Sequence, residues 1–329
     1  VRVLAAPDKF RGTATAPEVA AAVARAAACV GAECDQAPMA DGGEGTLEAL
    51  GGPNRTAMVT GPLGDPVEAA WRLDGRSAVI EMAQASGLDL IGGPEGNDPV
   101  AASTFGTGAL LAAAVERGAK EIIVGVGGSA TTDGGLGALR ALEPGQRLRG
   151  VEVRVACDVR LPFVEAAEVY GPQKGASPAQ VELLRRRLER LAQIYLEDHG
   201  VDVRDLPGAG AAGGLAGGLA AVGARLESGF DLVADVVDLD ERLERCDLVV
   251  TGEGFVDDQS FDGKVVGGVV GLAGALGIPV LVVAGDVMDP LPEGVAAVSL
   301  TERFGGERSR LETLACIEEV VGDHLRSLG

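Results

Sequence analysis

Short apolar runs separated by glycine-bearing polar loops set the rhythm of this chain. The runs at 1–6, 36–40, 153–158, 247–251, 280–284 and 295–300, with another opening at Glu121, read as strands. Several are apolar throughout rather than alternating, which marks strands covered on both faces, as in a parallel sheet. Helices alternate with them. Thr15-x-x-Glu18 forms a capping box ahead of an alanine-rich helix that stops at Gly31. Ser177-Pro178-x-Gln180 opens another, whose Leu184, Leu188, Leu191 and Tyr195 make one buried stripe. That stripe turns the Arg185-Arg186-Arg187 run into a solvated face rather than an RNA contact. Further helices are expected over 46–50, from 103–108 to Gly118, from Gly134, over 265–276 and from near Ser309.

Between 56 and 82 the texture changes. Three strand-like runs there are separated by Gly-Pro-Leu-Gly-Asp-Pro and Asp-Gly-Arg turns, the signature of antiparallel hairpins, and they read as an insertion that forms the core of a second domain. The glycine-rich run 207–218 has almost no polar residue, so a close-packed loop and helix is expected in place of a flexible linker. Residues 265–285 are uncharged over a span long enough to raise a membrane helix. Their glycines and Pro279 instead predict a helix, a Gly-Ile-Pro turn and a strand.

At 329 residues the chain exceeds what one core usually serves, so two domains are expected. Five cysteines without CxxC spacing predict reduced thiols and a cytoplasmic location, and the Val-Arg-Val-Leu-Ala-Ala start reads as a strand rather than an export signal. A formal charge of −21 repels nucleic acid and anionic membranes. An anion site in such a protein must work locally, through backbone donors, a few placed cations and a metal ion, because salt screens the bulk field beyond ~8 Å. The basic residues are 24 Arg and four Lys, and Lys9, Lys174 and Lys264 all lie in glycine-containing segments. His199 and His324 sit at the ends of polar helices and read as solvated, which leaves proton transfer to carboxylates or lysines.

The segment with most chemistry is Gly-Val-Gly-Gly-Ser-Ala-Thr-Thr-Asp-Gly-Gly at 125–135. Gly127 and Gly128 let backbone N–H groups close on an anion, with Ser129, Thr131 and Thr132 as donors at the rim. The competing reading is a tight turn with Asp133 capping the following helix. The dinucleotide fingerprint is matched only loosely, and Gly-Lys at 263–264 lacks the P-loop's flanking residues. Asp8, Lys9 and Arg11 follow the first strand, at the edge where open α/β sheets bind ligands. Asp41-Gly42-Gly43-Glu44 reads equally as helix capping or as a carboxylate pair beside a metal or hydroxyl.

Taken together, six segments resemble the bacterial glycerate kinases that phosphorylate D-glycerate with ATP. They are Ala-Pro-Asp-Lys-Phe-Arg-Gly (6–12), Ala-Asp-Gly-Gly-Glu-Gly-Thr (40–46), Gly-Gly-Ser-Ala-Thr-Thr-Asp-Gly-Gly (127–135), Gly-Pro-Gln-Lys-Gly-Ala (171–176), Gly-Ala-Gly-Ala-Ala-Gly-Gly (208–214) and Thr-Gly-Glu-Gly-x-x-Asp-x-Gln-Ser-x-x-Gly-Lys (251–264), in family order. The chain departs from the pattern at Arg11 and Thr132, in a shorter segment between Gly137 and Cys157, and in the residues after Asp158.

The resemblance implies a Rossmann- or flavodoxin-like parallel-sheet domain (1–48, 118–160 and 240–329) and an inserted mixed α/β domain (49–117 and 161–239), with the active site in the cleft between them. The activity it implies is in-line phosphoryl transfer from ATP, with Mg²⁺, to give 2-phosphoglycerate. A glycerate 3-kinase or related hydroxy-acid kinase and, in another class, a non-catalytic nucleotide- or hydroxy-acid-binding regulatory module are the alternatives. Phosphoryl transfer needs held phosphates, neutralised charge and an oriented hydroxyl. The expected nucleotide contacts are Gly127, Gly128, Ser129, Ala130, Thr131 and Lys174. Asp8, Lys9, Arg11, Gly42, Gly43 and Gln259 are expected at the acceptor. Catalytic roles fall to Lys9, Asp41, Asp257 and Lys264, with Asp41 or Asp257 as base, and Asp133 and Glu253 are the expected metal ligands. Partners are the small-molecule substrate and ATP, with no nucleic acid or membrane and with monomer or homodimer open.

Overall fold

Side-chain alternation along the first strand decides how the first sheet is covered. Val3 and Ala5 point to one face and Leu4 and Ala6 to the other, and all four are fully buried. The computed structural model describes residues 1–143, 148–261, 264–288 and 295–328, with the side chains of Asp258 and Gln259 outside that description. Among the described residues the strands are β1 (Arg2–Ala5), β2 (Glu33–Gln36), β3 (Arg55–Thr60), β4 (Pro66–Asp74), β5 (Ser77–Glu81), β6 (Glu121–Gly125), β7 (Glu152–Cys157), β8 (Arg225–Ser228), β9 (Leu248–Val256), β10 (Val280–Val287) and β11 (Ala296–Ser299). No helix among them is long and apolar enough to cross a membrane.

The chain divides into two compact units. The first comprises Val1–Asp41, Glu48–Leu50 and Phe230–Gly329, and the second Gly42–Leu47 and Gly51–Gly229. In the first, five strands run in the order β11-β10-β9-β1-β2, all parallel. Numbered within the unit this is the flavodoxin-like order 2-1-3-4-5, whose switch point lies between β1 and β9. Val3, Ala5, Leu248, Val250 and Leu281 pack with the helices Ala16–Cys29 and Thr313–Ser327. Leu4, Val249, Val282 and Ala284 pack with Val265–Ala275 on the opposite face. The capping box at Thr15 and Glu18 forms as expected.

In the second unit β3, β4 and β5 are antiparallel, and β5, β6, β7 and β8 continue as a parallel set. Trp71, Ile80, Leu110, Leu111, Ile122, Val124 and Val155 form its main core. A satellite core of Phe163, Leu184, Leu188, Leu191 and Tyr195 seats the helix Pro178–His199. Arg185 and Arg186 on that helix pair with Glu182, which makes the arginine run a solvated face as expected.

Two expectations differ from the structure. Residues 118–160 belong with the hairpins, because β6 hydrogen-bonds to β5 and β7 over the registers Ser77–Glu121 and Glu121–Glu152; apolar parallel strands carry no label of the sheet they join. Likewise 42–47 lies with the second unit and 230–239 with the first. The second strand also begins earlier than 36–40. That segment is buried at Ala37, Met39 and Ala40, and the Ala37 and Met39 N–H groups bond to Ala5 and Pro7 carbonyls, but Pro38 has no N–H to continue the ladder.

The helix Phe105–Glu116 lies against Leu136–Ala141 through Gly108, where an added Cβ would sit 2.3 Å from the Ala138 carbonyl oxygen. Gly108→Ala is expected to destabilise the protein by about 1–3 kcal/mol through forced separation of the two helices. A thermal melt by circular dichroism that matches the wild type would contradict this packing.

Candidate functional site

In the second unit, the apolar strand β6 ends at Gly125 and its chain turns at once into the loop 126–135. The turn is possible because side chains are missing where backbones meet. A Cβ on Gly127 would approach Gly43 Cα to 2.7 Å, and one on Gly42 would meet Ala156 at the same distance. The Val126 N–H donates to the Gly42 carbonyl at 3.1 Å. Gly42 and Gly43, expected at the acceptor, therefore stand beside Gly127 within this unit.

Lys174 lies beneath the loop. Its side chain reaches in from the turn Pro172–Lys174 and is 3% exposed. Nζ donates to Ser129 Oγ at 2.8 Å and to the Thr131 carbonyl at 2.7 Å. Burial pulls this ammonium down to about 7, against the opposing influence of the Asp133 carboxylate. Asn97 Nδ2 donates to both the Ala130 and Lys174 carbonyls, each at 2.9 Å, tying loop to turn. The Thr131 and Thr132 hydroxyls are buried without a hydrogen-bond partner.

Asp133 shows how the capping and metal readings separate. Its oxygens accept from the backbone N–H groups of Thr104, Gly135 and Gly137 and from the Thr104 hydroxyl. Those donors occupy the carboxylate in joining two helix starts, which is the capping role. Behind the loop lies the glycine run, buried as expected: the Gly134 N–H donates to the Gly213 carbonyl and Tyr195 Oη to the Gly134 carbonyl.

In the first unit the groups gather at the carboxyl ends of β1 and β9, the switch point. Asp8 follows β1, is 5% exposed, and accepts from the Lys9 N–H at 2.7 Å, with Lys9 Nζ 3.8 Å away. Burial drives its carboxyl up to about 7, opposed by Lys9 and reinforced by Asp41 and Glu253. Glu253 on β9 is raised chiefly by burial, with Ser260 and Lys264 lowering it and Asp41 and Asp257 raising it; its Oε1 is buried without a partner. Asp257 accepts from the Ser260 N–H at 3.1 Å and so caps the turn Asp258–Phe261. Arg11 is exposed and its backbone passes Gly254. Gln259 lies on that turn, its side chain outside the described residues.

Asp8, Lys9, Asp41, Glu253, Asp257 and Lys264 thus form one electrostatic neighbourhood, and Gly42, Gly43, the 127–131 loop, Asp133 and Lys174 another. Asn97 and Thr104 carry no sequence signal as loop supports, and Tyr195 reads from the sequence only as part of a buried stripe. Asn97 sits in a Gly-Asn-Asp-Pro turn whose sequence signals only a bend. No group of three or more His, Cys, Asp or Glu among the described residues is arranged to hold a metal ion. A magnesium ion that travels with phosphates needs only one or two carboxylates. The buried, unpartnered Glu253 Oε1 fits that requirement, and the occupied Asp133 does not.

A model of the glycerate kinase family matches residues 3–145 and 143–305. The chain is 41% identical over 329 residues to glycerate 2-kinase of Escherichia coli (strain K12), covering 88% of this chain and 86% of that one. It is 41% identical over 325 residues to a glycerate kinase of Halalkalibacterium halodurans, covering 87% and 85%. Among solved structures, a protein described as glycerate kinase 2 from Salmonella typhimurium LT2 superposes with a TM-score of 0.88 at 35% identity, over 100% of this chain and 98% of that one.

The raised Asp8 carboxyl has a measurable consequence. The folded protein holds this proton more tightly than the unfolded chain, so its contribution to stability is complete below the ordinary value of 3.8 and lost as pH rises through about 7. Asp8→Asn, which cannot ionise, is expected to raise Tm over the wild type clearly at pH 8 and much less at pH 5. Scanning fluorimetry would check it, and equal shifts at both pH values would mean that the carboxylate is ionised throughout.

Proposed function

The chain belongs to the glycerate kinase family, and from that premise we propose that it transfers the γ-phosphoryl group of ATP to the 2-hydroxyl of D-glycerate, with Mg²⁺, giving 2-phosphoglycerate. The observation that carries the phosphate assignment is the loop 127–132. It combines closely packed glycine backbone with buried Thr131 and Thr132 hydroxyls that have no partner of their own. Hydroxyl and amide donors of this kind suit phosphate oxygens and do not depend on the net charge of the protein. Gly127, Gly128 and the Ser129 and Thr131 hydroxyls take the nucleotide phosphates in this reading, while Ala130, expected among these contacts, has its N–H bonded to the Ser86 carbonyl at 3.0 Å and supports the loop.

The acceptor is assigned to the switch-point cluster. Lys9, Arg11 and Lys264 supply cations for the glycerate carboxylate and the transferring phosphoryl group. Asp8, whose carboxyl is raised by burial and further by the neighbouring Asp41, acts with Asp41 as the proton-accepting pair for the attacking hydroxyl. Asp257, read from the sequence as an alternative base, is left to shape the turn that follows it. Glu253 would hold the magnesium ion, which supplies charge neutralisation on the phosphates.

D-glycerate is expected to release ADP from ATP in a Mg²⁺-dependent coupled assay, and ³¹P NMR of the product should show 2-phosphoglycerate. A 3-phosphoglycerate resonance would overturn the regiochemistry, and saturable binding without ADP release would overturn the kinase reading. Asp41→Asn and Asp8→Asn are each expected to lower kcat by about 10²-fold or more, with the fold intact by circular dichroism.

A further inference from the structure

A lysine ammonium can only donate hydrogen bonds, whereas a serine hydroxyl donates one and accepts others. The 2.8 Å contact between Lys174 Nζ and Ser129 Oγ therefore has a direction while the lysine is charged: Ser129 accepts from Lys174 and its own proton must point elsewhere. The Thr131 carbonyl, 2.7 Å from the same nitrogen, accepts in either state. A neutral amine would have a lone pair, and Ser129 could then donate inward to it. The charge on Lys174 thus sets which way the Ser129 hydroxyl faces.

We propose that Lys174 is a positioning residue that turns the Ser129 hydroxyl outward as a donor to the nucleotide phosphate, with Asn97 fixing the distance between the lysine's turn and the loop. The proposal rests on the reading of 127–132 as the phosphate loop, and it replaces a direct contact between Lys174 and nucleotide. At 3% exposure the ammonium is enclosed by its own partners. Asn97 holds the Lys174 and Ala130 carbonyls on one amide group, which ties the lysine's backbone to the loop.

The groups facing the ammonium are few. Asp133 is the acidic neighbour that favours its charged state, and its oxygens are already committed to Thr104, Gly135 and Gly137. The Tyr170 ring lies 5.8 Å away. Burial works against the charge and brings it to the edge of neutrality. An anion accepted by Ser129 favours the charged state, so the lysine-dependent part of nucleotide affinity is complete below about pH 7 and fades as pH rises above it.

The test is ADP binding by calorimetry, independent of turnover, on the wild type, Lys174→Met, Ser129→Ala and the double variant at pH 6 to 9. Lys174→Met and Ser129→Ala are each expected to weaken ADP about tenfold. The double variant should be little weaker than Lys174→Met, because the lysine acts through the serine. The ratio of wild-type to Lys174→Met affinity should shrink above neutrality, a change in which the titration of ADP itself cancels. Asn97→Ala should weaken ADP while keeping the wild-type pH slope. Wild-type affinity in Lys174→Met, multiplying losses in the double variant, or no ADP binding by the wild type would each overturn the proposal. If Lys174→Met does not fold, Ser129→Ala decides: it must lose the fall in affinity above neutrality. Lysine-dependent ADP binding without glycerate phosphorylation would sink the kinase reading and leave this inference standing; turnover with unaltered ADP binding in Lys174→Met would do the reverse.

Discussion

The direct packing of one backbone on another beneath the loop 127–137 is the constraint on which the second unit's site depends. A Cβ on Gly213 would lie 2.0 Å from the Thr131 carbonyl oxygen, and one on Gly218 would lie 2.6 Å from that of Gly134. No side chain fits between the layers. The loop is therefore held from behind: its Thr131 and Gly134 carbonyls accept from Lys174 and Tyr195, its Gly134 N–H donates to the Gly213 carbonyl, and its Thr131 and Thr132 hydroxyls keep no partner of their own. Rigid supports of this kind favour electrostatic stabilisation because the donors need not reorganise when charge develops on a phosphate.

The first unit solves a different problem. An acidic protein must bind an anionic acceptor, and the parallel sheet brings the means to one edge by topology alone. In the 2-1-3-4-5 order β1 and β9 are neighbours although most of the chain separates them, so Asp8 and Lys9 meet Glu253, and through the following turn Asp257 and Lys264. In the proposed reading few cations serve there, but at short range salt would screen them little, whereas the bulk negative field is attenuated beyond ~8 Å.

Much of this was legible because the relevant signals are local. Both capping boxes, the buried stripe of the helix at 178–199, the hairpins and the close-packed glycine run follow from spacing and residue type, and the family from six motifs in order. Sheet membership was not legible. The ladder that joins β6 to β5 is made by backbone groups common to every residue, and the apolar composition of β6 would suit either sheet. Supports escaped for a related reason. Asn97 and Thr104 act on partners far along the chain, and a polar residue in a turn looks the same whether it faces water or clamps a loop. Asp133 marks the limit of residue-type reasoning: capping and metal binding call on the same carboxylate, and only the count of N–H donors around it separates them.

Two buried groups of opposite sign carry the same electrostatic signature. Burial raises the Asp8 carboxyl and lowers the Lys174 ammonium, each toward neutrality, so each is held in surroundings that disfavour its charge. Such groups reduce the stability of the ligand-free protein and gain from any ligand of complementary charge. A cation near the carboxylates favours ionised Asp8, and a phosphate on the Ser129 hydroxyl favours charged Lys174. Ligand binding then adds more to stability than contacts alone would provide, because it also relieves a desolvation cost already present. In the proposed reading both groups lie where reactants bind, and a chain of net charge −21 would then present its sites for anions locally rather than through its overall field.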